Sequence, residues 1–132
     1  MRPGPSSAEP RPRVLVVDDE ALVRRALSRT LAPAFEVVTV DGVDGAIARL
    51  AEGPPFDAVL CDLHLGTARS GRDLYAHVRE TDPPLAARMI FMTGAPPAAG
   101  DAFGEHWIEK PFDTAALLAL VRRVACPLAR TA

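Results

Sequence analysis

The feature that most constrains this chain is an alternation between five short apolar runs, each ending in polar residues, and stretches whose apolar residues follow helical spacing. The first run, Val14-Leu15-Val16-Val17, is β-branched and apolar throughout, the makeup of a strand covered on both faces, and Asp18-Asp19-Glu20 ends it. From Ala21 the period changes. Val23, Ala26, Leu27 and Leu31 share one side of a helix, Arg24, Arg25 and Arg29 take the other, and Pro33 lies just past its end. Phe35 to Val40 forms a second strand, and Val43 to Leu50 a helix that buries Val43, Ala46, Ile47 and Leu50 before Gly53-Pro54-Pro55 stops it. Phe56 to Cys61 is a third strand ending at Asp62, followed by a helix from near Gly71 with Leu74 and Val78 on one face. Arg88 to Met92 is a fourth strand ending at Thr93-Gly94, and His106 to Glu109 a fifth ending at Lys110-Pro111. Asp113 is placed to cap a last helix with Leu117, Leu120, Val121 and Val124 inward. Strict strand-helix alternation predicts an α/β fold: a doubly wound five-stranded parallel sheet with helices on both faces, joined by right-handed crossovers.

A chain of 132 residues is sized for one domain that needs no metal or disulfide staple. No apolar run approaches the roughly 18 residues of a membrane span. Fifteen basic and 17 acidic side chains leave a net charge of -2, so there is no electrostatic footprint for a nucleic-acid backbone. Cys61 and Cys126 stand far apart with no metal-ligand spacing, and the N-terminus does not resemble a signal peptide, so a reduced, cytoplasmic protein is expected. Met1 to Pro12 carries four of the chain's 13 prolines and reads as a disordered lead; residues 13–125 are expected to form the domain and 126–132 a C-terminal tail.

Parallel strands all point one way, so whatever follows their C-terminal ends collects along one edge of the sheet. Here that edge receives Asp18 and Asp19, Asp62, Thr93 and Lys110. Three clustered carboxylates repel one another, and a divalent cation relieves them; oxygen-only ligands with room for water suit Mg²⁺ better than zinc. With that charge neutralised, a carboxylate can attack phosphorus to give an aspartyl phosphate, and a cation and hydroxyl donors then hold the transferred oxygens. Read singly, the same residues have plainer roles: Asp18 and Asp19 as helix-cap acids, Asp62 and Thr93-Gly94 as turns, Trp107 as core, Lys110 as a solvated charge. Against the last stands composition, for Lys110 is the single lysine beside 14 arginines, and it falls where a compact ammonium serves better than a planar fork.

Over about residues 13 to 125 the chain resembles the receiver domain of two-component response regulators and hybrid histidine kinases, a flavodoxin-like fold. The resemblance is carried by Val-Leu-Val-Val-Asp-Asp-Glu, Ala-Val-Leu-Cys-Asp-Leu, Met-Ile-Phe-Met-Thr-Gly and Glu-Lys-Pro-Phe, in the family's order. It implies a signalling switch rather than an enzyme acting on a separate substrate: Asp62 accepts a phosphoryl group from a sensor histidine kinase or a histidine phosphotransfer protein. It further implies that Asp18, Asp19, Asp62 and the backbone carbonyl of His64 hold Mg²⁺, that Thr93 and Lys110 bind the phosphoryl oxygens, that Thr93 and Trp107 form the switch, and that the peptide before Pro111 is cis. His64, two residues after Asp62, is placed to border the path of attacking water.

The chain departs from the family pattern in the loop after Asp62, where Leu65 and Gly66 replace the usual Met and Pro, and Gly71 arrives one residue late. It departs again between Thr93 and Lys110, where only 16 residues intervene and Pro96, Pro97, Gly100 and Gly104 oppose a helix, so the fourth helix is expected to be shortened or missing and the segment mobile. After Val124 no output domain is expected, which leaves a free-standing receiver or one belonging to a hybrid sensor kinase. A phosphatase of the haloacid dehalogenase type would need Asp where Glu20 stands, and a partner-binding pseudo-receiver would usually lack one of the acidic, Thr or Lys groups.

Overall fold

The computed structural model describes residues 11–65, 69–95 and 106–126. Five strands, β1 (Arg13–Val17), β2 (Glu36–Val40), β3 (Ala58–Asp62), β4 (Met89–Thr93) and β5 (His106–Glu109), form one sheet in the order β2-β1-β3-β4-β5. Every pairing is parallel. The described helices are α1 (Ala21–Leu31), α2 (Val43–Leu50), α3 (Gly71–Thr81), α4 (Pro83–Ala86) and α5 (Thr114–Ala125).

The two faces of the sheet are separated by the period of two along each strand. Leu15, Val17, Val59, Cys61, Met89 and Phe91 point to one side and pack with Val43 and Ala46 of α2 and Leu74 and Val78 of α3. Val14, Val16, Ala58, Leu60, Ile90 and Met92 point to the other, against Leu27 and Leu31 of α1 and Leu117, Val121 and Val124 of α5. A continuous apolar strand is thereby explained, since both faces are covered. The expected helix faces hold with one correction: Ala26 is exposed, and α1 buries Leu27 and Leu31 alone. The strand ends also differ. Asp62 and Thr93 belong to their strands, because each still pairs with a neighbour, while Phe35 and Phe56 are core residues that precede theirs. The expected lead, the expected tail beyond Cys126, and the expected shortening and mobility between β4 and β5 fall wholly or mainly on residues 1–10, 127–132 and 96–105, outside the described residues.

Register is what positions the site. Val17 pairs with Cys61, Asp62 with Met92 and Thr93 with Glu109, so Asp18, Asp62, Thr93 and Lys110 come level at the same sheet edge. α3 closes beneath that edge. It begins at a capping box, in which the Ser70 hydroxyl accepts from the Arg72 N–H at 3.2 Å and the Asp73 carboxylate accepts the Ser70 N–H at 2.7 Å. Its first residue, Gly71, donates to the Leu63 carbonyl at 3.1 Å. A Cβ at Gly71 would lie 2.8 Å from the Asp62 carbonyl oxygen and 3.0 Å from Leu63 Cα, both backbone atoms that cannot swing aside. Gly71→Ala is therefore expected to cost about 1–3 kcal/mol in urea unfolding, as overpacking does. Wild-type stability in that variant would show that the approach is not tight.

Candidate functional site

The site lies where β1, β3, β4 and β5 end. Asp18, Asp19 and Asp62 each present a carboxylate oxygen within 4.8 Å of the others. Asp18 is fully buried, Asp62 nearly so, and Asp19 exposed at the mouth. Asp18 is held by its own turn: its Oδ1 accepts the Glu20 N–H at 2.9 Å and its N–H donates to the Val40 carbonyl at 3.2 Å. Its other oxygen, Oδ2, is buried and has no hydrogen-bond partner among the described residues. Burial pushes the Asp18 carboxyl above its ordinary range; the Glu20 N–H opposes this, the Asp62 charge adds to it, Lys110 opposes it and Asp19 adds to it.

Asp62 is engaged on both oxygens. Lys110 Nζ lies 3.1 Å from Oδ2, and the His64 N–H donates to Oδ1 at 3.0 Å. Lys110 is carried there by the end of β5, where its N–H donates to the Thr93 carbonyl at 2.7 Å, and the Lys110–Pro111 peptide is cis. Thr93 is buried; its hydroxyl donates to the Ala95 carbonyl at 2.8 Å and accepts the Ala95 N–H at 3.2 Å. Trp107 is 40% exposed on β5 and pairs in register with Phe91. The sequence-derived set Asp18, Asp19, Asp62, Thr93 and Lys110 thus meets at one edge, with the backbone of His64 beside it.

Three further groups were not apparent from sequence. Arg24 of α1 donates from Nη1 to the Asp18 carbonyl at 2.7 Å, although helical periodicity places it on the polar side. Arg69, in the loop before α3, pairs with Asp44 of α2 at 2.7 Å beside a cavity of about 450 Å³ that Asp19 also lines. Cys61, beneath Asp62, is buried, and burial together with the Asp62 and Asp18 charges pushes its thiol far up, so it is an inert apolar neighbour.

The donor set suits a hard divalent cation. It is all oxygen, it is negatively charged, and it includes a buried carboxylate oxygen that no donor among the described residues satisfies.

A family model for the response regulator receiver domain matches residues 14–122, and the chain belongs to that family. Over 117 residues it is 33% identical to the response regulator protein FleR of Pseudomonas aeruginosa; the match covers 86% of this chain but 24% of FleR, so the chain spans about a quarter of that relative's length. Among solved structures, a response regulator receiver protein from Sinorhizobium medicae superposes with a TM-score of 0.74 at 27% identity, covering 88% of this chain and 95% of that one. The chemotaxis protein CheY4 of Vibrio cholerae does so with a TM-score of 0.73 at 27% identity, covering 86% and 98%. Family membership places the chain in two-component signalling. Among the described residues no helix is long and apolar enough to cross a membrane.

The raised Asp18 carboxyl has a stability consequence. The folded state binds that proton more tightly than the unfolded state, so the stabilising contribution is present at low pH and is lost as pH rises through the folded-state value. At neutral pH, without divalent cations, the Asp18 charge opposes folding. Asp18→Asn keeps an acceptor for the Glu20 N–H and is expected to raise stability by about 1 kcal/mol at pH 7, with the gain shrinking toward acid. Thermal unfolding of both proteins from pH 4 to 8 in chelator checks this, and a less stable variant at neutral pH would contradict it.

Proposed function

We propose that this chain is a phosphorylation-dependent switch of a two-component phosphorelay, with Asp62 taking a phosphoryl group from the phosphohistidine of a sensor histidine kinase or a histidine phosphotransfer protein. The observation that carries the reading is the setting of Asp62, whose carboxylate lies 3.1 Å from the one lysine and within 4.8 Å of two other carboxylates. Asp18, Asp19, Asp62 and the His64 carbonyl are the groups assigned to Mg²⁺. When bound, the cation neutralises the carboxylates and shares the charge of the phosphoryl oxygens.

The chain's own residues do the rest. An Asp62 oxygen forms a bond to phosphorus as the phosphorus–nitrogen bond of the donor breaks, and that electron pair leaves on the imidazole nitrogen. Lys110 exchanges its contact with the carboxylate for one with a phosphoryl oxygen, and the His64 N–H remains a donor at the same edge. Thr93 releases the Ala95 carbonyl and donates to a phosphoryl oxygen instead. That motion draws on the chain after β4, and Trp107, on the neighbouring strand, responds to it. The burial of Asp18, Asp62 and Thr93 supports this reading, because a shielded edge strengthens each of these interactions relative to bulk water.

Intact mass after incubation with a small phosphodonor and Mg²⁺ tests the assignment. Wild type is expected to gain the mass of one phosphoryl group, and Asp62→Asn to gain none while keeping its fold by circular dichroism. An adduct retained on Asp62→Asn would sink the reading. Lys110→Arg keeps the charge but misplaces it, and is expected to be labelled while losing most of the Trp107 emission change seen with beryllofluoride. Equal emission change per phosphoryl group in the two proteins would refute that role for Lys110.

A further inference from the structure

We infer that Arg24 is a positioning residue for the acidic site, its guanidinium holding the Asp18–Asp19 turn in the form that receives a divalent cation. The inference rests on the phosphoacceptor reading above and deepens it. After Val17 the chain must carry two adjacent carboxylates to an edge that already holds Asp62, and mutual repulsion pushes such a turn open. Two of the bonds that resist opening are neutral donors or lie within the turn: the Asp18 N–H to the Val40 carbonyl at 3.2 Å, and the Glu20 N–H to Asp18 Oδ1 at 2.9 Å.

Arg24 adds a grip from outside the turn. Its backbone N–H donates to the Glu20 carbonyl at 3.0 Å and its Nη1 to the Asp18 carbonyl at 2.7 Å, so one residue holds carbonyls on both sides of Asp19. The second bond is charge-assisted and short, the stronger class of hydrogen bond. Its anchor is rigid, because α1 is fixed to the sheet by buried Leu27 and Leu31. A helical side chain leans toward the helix N-terminus, which is how Arg24 reaches back over the first turn. Arg24 is half-buried, whereas neighbouring Arg25 is exposed. The guanidinium bonds a carbonyl and leaves Asp18 Oδ2 without a partner among the described residues, so it orders the turn and keeps a ligand oxygen available.

A positioning role and a bystander charge predict opposite signs. A cation beside a cation site repels the incoming ion, so removing a bystander arginine would tighten Mg²⁺ binding. Removing a residue that orients ligands weakens metal binding, commonly by 10-fold or more. Calorimetric Mg²⁺ titration of the full chain, with hydrogen exchange across residues 17–24, separates the two. Arg24→Gln is expected to weaken Mg²⁺ affinity about 10-fold and to speed exchange in that turn while the rest of the sheet stays protected. Arg24→Lys, which keeps charge and stem, is expected to fall between, and it carries the test if the glutamine variant does not fold. Unchanged or tighter Mg²⁺ binding in the variants, with wild type binding normally, would overturn the inference and leave the phosphoacceptor reading standing. Wild type that binds no Mg²⁺ would overturn both.

Discussion

The interaction on which the rest of this structure depends is the enforced proximity of three carboxylates at the sheet edge. Asp18 is fully buried there, beside Asp62 and Asp19, with one oxygen unpartnered among the described residues. Left alone, such a cluster opposes folding, and the surrounding groups answer it. Lys110 faces Asp62 from β5, backbone N–H groups of Glu20 and His64 face the carboxylates, and Arg24 fastens the turn that carries two of them. The arrangement tolerates the strain because the sheet beneath is buried on both faces and its register cannot slip without exchanging one core for the other. Stability made in the core is in this way placed at risk at the edge, where charge is useful.

The same geometry ties the groups of the site to one another. Thr93 and Lys110 are joined through a backbone hydrogen bond of 2.7 Å, so the groups that would meet a phosphoryl oxygen sit at the ends of adjacent, paired strands. Among the described residues the Thr93 hydroxyl is bonded to Ala95, in its own next turn, a local contact that can be exchanged without unpacking the sheet. Beneath Asp62, by contrast, nothing gives: Gly71 is packed against its carbonyl and Cys61 fills the space beside it. Asp62 is held from below by this packing, and its two carboxylate oxygens meet Lys110 and the His64 N–H.

Much of this was legible in the sequence, for identifiable reasons. Apolar runs of four to six residues ending in Asp, Asp, Thr and Lys marked the strands, and parallel pairing alone brings their ends together, so Asp18, Asp19, Asp62, Thr93 and Lys110 could be named as one edge. Strand ends were less legible because a charged residue reads as a stop, yet Asp62 remains paired with Met92. The turn of helix at Pro83–Ala86 is too short to show a period; it exists because Asp82 caps it, accepting the Leu85 N–H at 3.3 Å, and because Pro suits a first helical position. Arg24 escaped notice because periodicity assigns a residue to a face, while a long side chain acts where its tip lands. Ala26 erred the other way, small enough to belong to either side.

The central claim is that this crowded edge makes Asp62 a nucleophile toward phosphorus, and chemical trapping tests it most directly. An aspartyl phosphate is reduced by borohydride to an alcohol, which converts the labelled aspartate to homoserine. After incubation with a phosphodonor and Mg²⁺, borohydride and peptide mass spectrometry are predicted to find homoserine at position 62 and intact aspartate at positions 18 and 19. Homoserine at either of those positions, with Asp62 unchanged, would contradict the account.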